Sequence, residues 1–275
     1  MSPFHVITRR LGGLLLVCTL LASGGPLHAQ FSLDKLQKGL DTAKNVGKVA
    51  KGVTGIGLEE ERIIGGSVAL EIIGAYGGVL RDEAITARVN LIGRALARYS
   101  DRPDLDWRFG VLASEQINAF SAPAGYVFIT RGLYATAAND DELAAILAHE
   151  IAHITERHAL KIVSRGELLT GASGLAVANS SDVAQVEAQL KQVDLGVGKI
   201  TRTLFEKGFD PATEYEADRI GRQLAITAGY APGGLRSVLQ DLSATSTPGS
   251  RVFSSHPPLP NRIKRLPNDP APVKK

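Results

Sequence analysis

The chain has 275 residues, 44% hydrophobic and 21% charged, with a formal net charge of +3. That length holds one or two domains, and a charge so near neutrality points to no nucleic-acid partner. The single cysteine, Cys18, excludes a disulfide framework and any metal site built from several thiolates.

Arg9 and Arg10 precede an apolar run over residues 11–22, and small or turn-forming residues follow as far as Leu27-His28-Ala29. Residues 1–29 therefore read as a secretory signal peptide cleaved near Ala29, the run being short for a membrane anchor. Its removal takes Cys18, Arg9 and Arg10 but no acid, so the charge of +3 falls by two. A metal site in the remainder must use His, Asp or Glu, and its histidines are His149, His153, His158 and His256.

Residues 30–58 form a basic, Gly-rich, loosely held leader. Phe31, Leu33, Leu36 and Leu40 recur at rough helical spacing among Lys35, Lys38 and Lys44. That makes 31–51 a candidate for weak association with a membrane surface. Residues 63–80 are nearly apolar enough to span a bilayer, but Glu71 at the centre is costly in lipid. They are expected to form one or two buried helices. Residues 82–100 read as an amphipathic helix with Ile85, Val89, Ile92 and Leu96 on one face.

"DWRFGVL" (106–112) and "GYVFIT" (125–130) are β-rich runs bounded by turn residues, and suggest a small antiparallel sheet. Asn139 is placed to cap the next helix, with Glu142 completing a capping box; no glycine interrupts that helix before Gly166, so it should reach about Ser164. Residues 166–200 are small and polar, a mobile connection with a helix near 183–193. Asp210-Pro211 opens another helix that ends near Gly229. A short helix over 234–242, a Ser/Thr-rich loop, a final "LPNRIKRL" turn and a disordered tail (267–275) complete the chain. The fold class is α+β: a mainly helical domain over 59–266 with a small antiparallel sheet.

The chemistry lies in "AAILAHEIAHITERH" (144–158). On a helix, His149 and His153 are about 40° apart around the axis and one turn apart along it. Both imidazoles can reach one point roughly 2.0–2.1 Å from each nitrogen, the distance zinc requires. Glu150 lies about 100° round from His149 and flanks that point, placed to take a proton from water there; this is the logic of H-E-x-x-H. A third ligand is needed. His158 would point about 140° from His153 on a continuous helix, which makes it a packing residue. Glu156 lies too far along the axis. In "DPATEYEADRIG", Glu214 and Asp218 share a helical face with Ala217 and Gly221, whose small size allows close approach to another helix. Glu214 is then placed to ligate the ion and Asp218 to orient an imidazole.

"HEIAHITERH", "EYEADRIG" and "SSHPPLPNRI", in this order, resemble the zinc metallopeptidases related to HtpX and the CAAX prenyl proteases, closest to their secreted, BepA/LoiP-like periplasmic branch. "NAFSAPAGYVFITRGL" is similar to the strand segment ahead of that family's metal helix. The resemblance covers roughly residues 59–266. It implies a gluzincin core holding one Zn²⁺ per chain through His149, His153 and Glu214, with Glu150 as catalytic base. "FDPATE" departs from the lead-in that relatives often have.

Two roles stand open for His256: a donor to the oxyanion of the tetrahedral intermediate, or a fourth ligand that keeps the enzyme latent. Arg262 is placed to anchor this loop or a carboxylate. The expected reaction is hydrolysis of internal peptide bonds in unfolded or misassembled exported proteins, in the periplasm. Gly125, Tyr126, Val127, Phe128, Ile129 and Thr130 are expected to form the edge strand on which the extended substrate pairs. The rival reading is a zinc-stabilised, chaperone-like binding module with little or no proteolysis.

Overall fold

The computed structural model describes residues 56–164, 197–245, 256 and 258–272. The expected signal peptide, the leader up to residue 55 and the helix near 183–193 lie outside the described residues.

Helix α1 (Leu58–Ala75) accounts for the apolar run as one helix. It buries Ile64, Val68, Ala69 and Ile72 and leaves Glu71 on the exposed side. Helix α2 (Glu83–Ala97) starts at Asp82, whose side chain accepts from the Ile85 amide. It buries Val89, Ile92 and Leu96 as their spacing predicts.

Strands β1 (Arg108–Leu112), β2 (Ala119–Ala122) and β3 (Tyr126–Thr130) form one sheet in the order β1-β3-β2. β1 pairs with β3 in parallel and β2 pairs with β3 antiparallel, so the sheet is mixed where an antiparallel one was expected. The sequence does not announce β2, because only Phe120 in Ala-Phe-Ser-Ala favours a strand. Inserting β2 beside β3 makes β3 the central strand, so the expectation that 125–130 offers a free edge is corrected. The edge nearest the helix that carries His149 and His153 is β2.

The sheet is buried on both sides, which explains the continuous apolar run of β3. Val111, Ala119, Val127 and Ile129 join one core cluster with α2, and Leu112, Phe120 and Phe128 join a second with α1.

A short helix, α3 (Arg131–Thr136), leads into α4 (Asp140–Thr155). Asn139 caps α4 as expected, accepting from the Glu142 amide at 2.9 Å. Glu142 reaches back one residue further than a capping box would, to the Ala138 amide at 2.8 Å. Its other oxygen accepts from Ser237 Oγ at 2.8 Å.

Helix α4 does not run to Ser164. It stops at Thr155, Arg157 takes the left-handed region with φ 55°, and a separate α5 begins at His158 (His158–Ser164). No local residue type predicts this break. Its cause is distant: Glu61 of α1, fully buried, pairs with Arg102 at 2.7 Å and with Arg157 at 3.2 Å. Glu61 also accepts from the Ala124 amide at 3.1 Å, and Arg102 donates to the Ile154 carbonyl at 3.2 Å. One carboxylate therefore ties α1, the turn before β3 and the end of α4 together.

After a π-helical turn (Thr203–Lys207) comes α6 (Pro211–Thr227), capped by Asp210 through the Ala212 and Thr213 amides. Helices α7 (Gly234–Thr245) and α8 (Leu259–Arg265) follow, so the last motif is a helix rather than a turn. Residues 267–272, part of the expected tail, are among the described residues. That extended segment returns over the domain, with Asp269 paired to Arg222 at 2.5 Å.

Helices α4 and α6 pack so closely that a Cβ on Gly221 would fall 2.7 Å from the His149 nitrogen and 2.8 Å from its Cα. We therefore expect Gly221→Ala to cost on the order of 1–3 kcal/mol of stability, because backbone has to move. A lowered urea midpoint checks this, and an unchanged midpoint would show that the helices can part freely.

Candidate metal centre

Four buried or half-buried donors meet where α4 faces α6: the ligand-capable atoms of His149, His153, Glu214 and His256 all lie within 4.8 Å of one another. His149 Nε2 is 3.1 Å from His153 Nε2 and 3.5 Å from Glu214 Oε2, and His153 Nε2 is 3.7 Å from Glu214 Oε1. Donors at roughly 2.0–2.1 Å around a tetrahedral ion stand about 3.4 Å apart, so these three fit one ion. The buried Glu214 Oε1 has no hydrogen-bond partner among the described residues, which a coordinated cation would satisfy.

Each imidazole is held by its other nitrogen. His149 Nδ1 is 3.0 Å from Asp218 Oδ1. Asp218 in turn accepts from Arg262 at 2.6 Å and 3.0 Å, and Arg262 is 0% exposed. His153 Nδ1 is 2.9 Å from His158 Nδ1, and its ring stacks on Phe209 at 4.5 Å. Both Nε2 atoms are thereby left to face the cluster.

The electrostatics follow from this packing. Burial and Arg262 oppose a charge on His149, yet hydrogen bonds to Asp218 and Glu214 lift it to about 9. That proton has to leave before the ring can donate a lone pair to a metal. Burial drives His153 well below the usual imidazole range, and the other three imidazoles act in the same direction against Glu214. Burial alone would raise Glu214 and Asp218. For Glu214, His256 and the hydrogen bond from His149 overcome it; for Asp218, Arg262 and His149 do, holding it at about 2. Two carboxylates thus stay ionised in a buried site; Arg262 offsets Asp218, and Glu214 brings its negative charge to the donor cluster, where a cation would offset it.

Glu150 is buried beside this cluster, and its Oε1 has no hydrogen-bond partner among the described residues. His256 places Nδ1 2.6 Å from Glu214 Oε2 and Nε2 3.7 Å from Glu150 Oε1. The structure therefore gathers His149, Glu150, His153, Glu214, Asp218, His256 and Arg262 around one point. Glu156 caps the end of α4 and is not among the clustered donors.

His158 is the correction. Because α4 breaks at Arg157, it swings back beside His153 instead of pointing away, and its Nε2 lies 3.3 Å from Glu216 Oε2. Glu216, half-exposed on α6, is thus an imidazole partner. Sequence reasoning also missed Glu61 and Arg102. The only available signal was a glutamate at the start of an apolar helix, which looks like an ordinary first-turn acid.

The model of peptidase family M48 matches residues 83–269 of the chain. The beta-barrel assembly-enhancing protease of Yersinia pestis is 27% identical over 259 residues, covering 90% of this chain and 52% of its own length. The protein of the same name from Escherichia coli K12 is 25% identical and matches 81% of this chain and 46% of itself. The mitochondrial metalloendopeptidase OMA1 of Schizosaccharomyces pombe is 26% identical, matching 77% of this chain and 61% of itself. The chain spans about half the length of the first two of these curated relatives.

Proposed function

The chain belongs to peptidase family M48, and on that premise we propose that it is a zinc-dependent endopeptidase acting on unfolded or misassembled exported proteins. The observation that carries this reading is a buried His₂Glu donor set with a buried carboxylate beside it, Glu150, whose Oε1 has no hydrogen-bond partner among the described residues. A purely structural ion site has no use for that carboxylate.

His149, His153 and Glu214 would hold the ion. A divalent ion bound there supplies a Lewis acid that acidifies water and polarises a carbonyl. Glu150 takes a proton from the attacking water and returns it to the leaving amine. Asp218 fixes the ring of His149 and is itself fixed by Arg262.

The substrate backbone pairs with β2. The Thr130 amide donates to the Asn118 carbonyl at 3.0 Å, so the alternation of an antiparallel ladder turns the backbone groups of Ala119 and Ser121 away from β3; the Ala119 amide is taken by Asn118 Oδ1 at 3.0 Å, and pairing falls to the Ala119 carbonyl and to Ser121. Among the described residues no strand pairs with that side of β2. Ser121 and Ala122 line a small cavity with His153, which puts this edge beside the reacting centre. Backbone pairing reads extended chain more than side chains, which suits unfolded substrates.

His256 acts as a fourth donor that holds the site latent, a reading supported by its place among the clustered ligand atoms. We expect His256→Ala to cleave faster than the parent. A fall of about 10²–10³-fold would instead assign it the oxyanion. Permanent closure by His256 is also what would favour a chaperone-like binding module with little proteolysis.

Export rests on the N-terminal signal pattern and gives a periplasmic location. No described helix is long and apolar enough to cross a membrane. The proposal is tested by incubating the purified protein with an unfolded polypeptide and sequencing the products. Internal cleavage that stops on chelation and returns with Zn²⁺ is expected. Capture of the polypeptide without cleavage, in the parent and in His256→Ala alike, would establish the binding module.

A further inference from the structure

We propose that His158 and Glu216 form a positioning relay for His153, a His–His–carboxylate chain that fixes the tautomer with which His153 meets the metal. The inference rests on the reading of His153 as a ligand and names residues that neither the helical spacing nor the reaction requires.

With His153 Nε2 as the ligand atom, the geometry fixes the protons along this chain. His153 faces Glu214 and His149 with Nε2, so Nε2 must carry the lone pair and Nδ1 the hydrogen. That hydrogen points at His158 Nδ1, 2.9 Å away, which must therefore accept. The proton of His158 then sits on Nε2, 3.3 Å from Glu216 Oε2, a carboxylate oxygen that can only accept. Every donor finds an acceptor in this arrangement, and with His153 protonated on Nδ1, moving the His158 proton to its own Nδ1 leaves two N–H groups opposed across 2.9 Å.

The fold goes to some length to build this chain. A continuous helix would carry His158 about 140° away from His153. The left-handed Arg157 brings it back, and that conformation is held from α1 by Glu61 at 3.2 Å. Burial of His158 keeps its ring in a fixed place, with its centroid 5.0 Å from that of His153 and the planes at 74°. The two ligating imidazoles thus have different supports: Asp218 with Arg262 for His149, and His158 with Glu216 for His153.

The full chain, labelled with ¹⁵N-histidine and loaded with one equivalent of Zn²⁺, tests the relay through long-range ¹H–¹⁵N correlations of the imidazoles. The expected spectrum has His153 protonated on Nδ1 and His158 on Nε2. His158 protonated on Nδ1 would overturn the relay. In parallel, Zn²⁺ affinity is measured by competition with a chromophoric chelator. His158→Phe, which keeps the ring but removes the acceptor, should bind about 10–100-fold more weakly. His158→Asn should recover most of that loss, because its carboxamide oxygen falls near the former Nδ1. Parental affinity in His158→Phe would overturn the relay alone.

Glu216→Lys serves if His158→Phe does not fold, since the Glu216 side chain is 44% exposed. An ammonium only donates, which forces His158 to accept at Nε2 and turns its proton toward His153; weaker Zn²⁺ binding is expected, and unchanged binding would overturn the relay. A parent chain that takes up no Zn²⁺ would overturn the metal-site reading, and this inference with it.

Discussion

Glu150→Gln is expected to lower peptide cleavage by about 10²–10⁴-fold while leaving one bound Zn²⁺ per chain. The carboxamide is nearly isosteric, so the packing of α4 is preserved, but it cannot accept a proton from the attacking water. Glu150 is placed beside the donor cluster and outside it, which is why metal binding should survive. Its buried Oε1 makes no hydrogen bond among the described residues, so the exchange breaks none at that atom. Cleavage rates measured with equal metal loading check this. Retained cleavage would place the base elsewhere, and joint loss of cleavage and metal would make Glu150 a structural residue.

Arg262→Met should be the most destabilising single change in the site, by about 3–5 kcal/mol. Arg262 is fully buried and gives Asp218 two hydrogen bonds, at 2.6 Å and 3.0 Å. Methionine fills much of the volume but leaves the Asp218 carboxylate buried with only His149 beside it. The pair is not expected to be a large net source of stability, because desolvating two charges offsets most of their attraction. A double variant, Arg262→Met with Asp218→Leu, should therefore regain most of the urea midpoint. It should still bind Zn²⁺ about 10–100-fold more weakly, since His149 has lost the group that orients it. A midpoint unmoved by Arg262→Met would show that Asp218 finds another partner.

What the sequence disclosed and what it hid divide along a physical line. His149, Glu150 and His153 were legible because helical periodicity fixes their relative directions within a single element. Glu214, Asp218 and Gly221 were legible for the same reason on α6, and the small residue told which face meets its neighbour. The pairing of β3 was hidden, because a strand's neighbours are chosen by the whole sheet. β2 carries almost no strand preference of its own, and its insertion turned the expected edge into the centre. The break at Arg157 was hidden as well. Its cause is Glu61, 96 positions earlier, and no window on α4 contains it. That one displaced turn decides whether His158 is a packing residue or a partner of the metal helix.

The most direct test of the central claim, that α4 and α6 supply a single His₂Glu ion site, is zinc-edge X-ray absorption on the full chain loaded with one equivalent of Zn²⁺. Nitrogen and oxygen scatterers are expected at about 2.0–2.1 Å with the outer-shell pattern of at least two imidazoles, lost in a His149→Ala, His153→Ala variant. Zinc bound without imidazole scattering, or a spectrum unchanged in that variant, would contradict that claim.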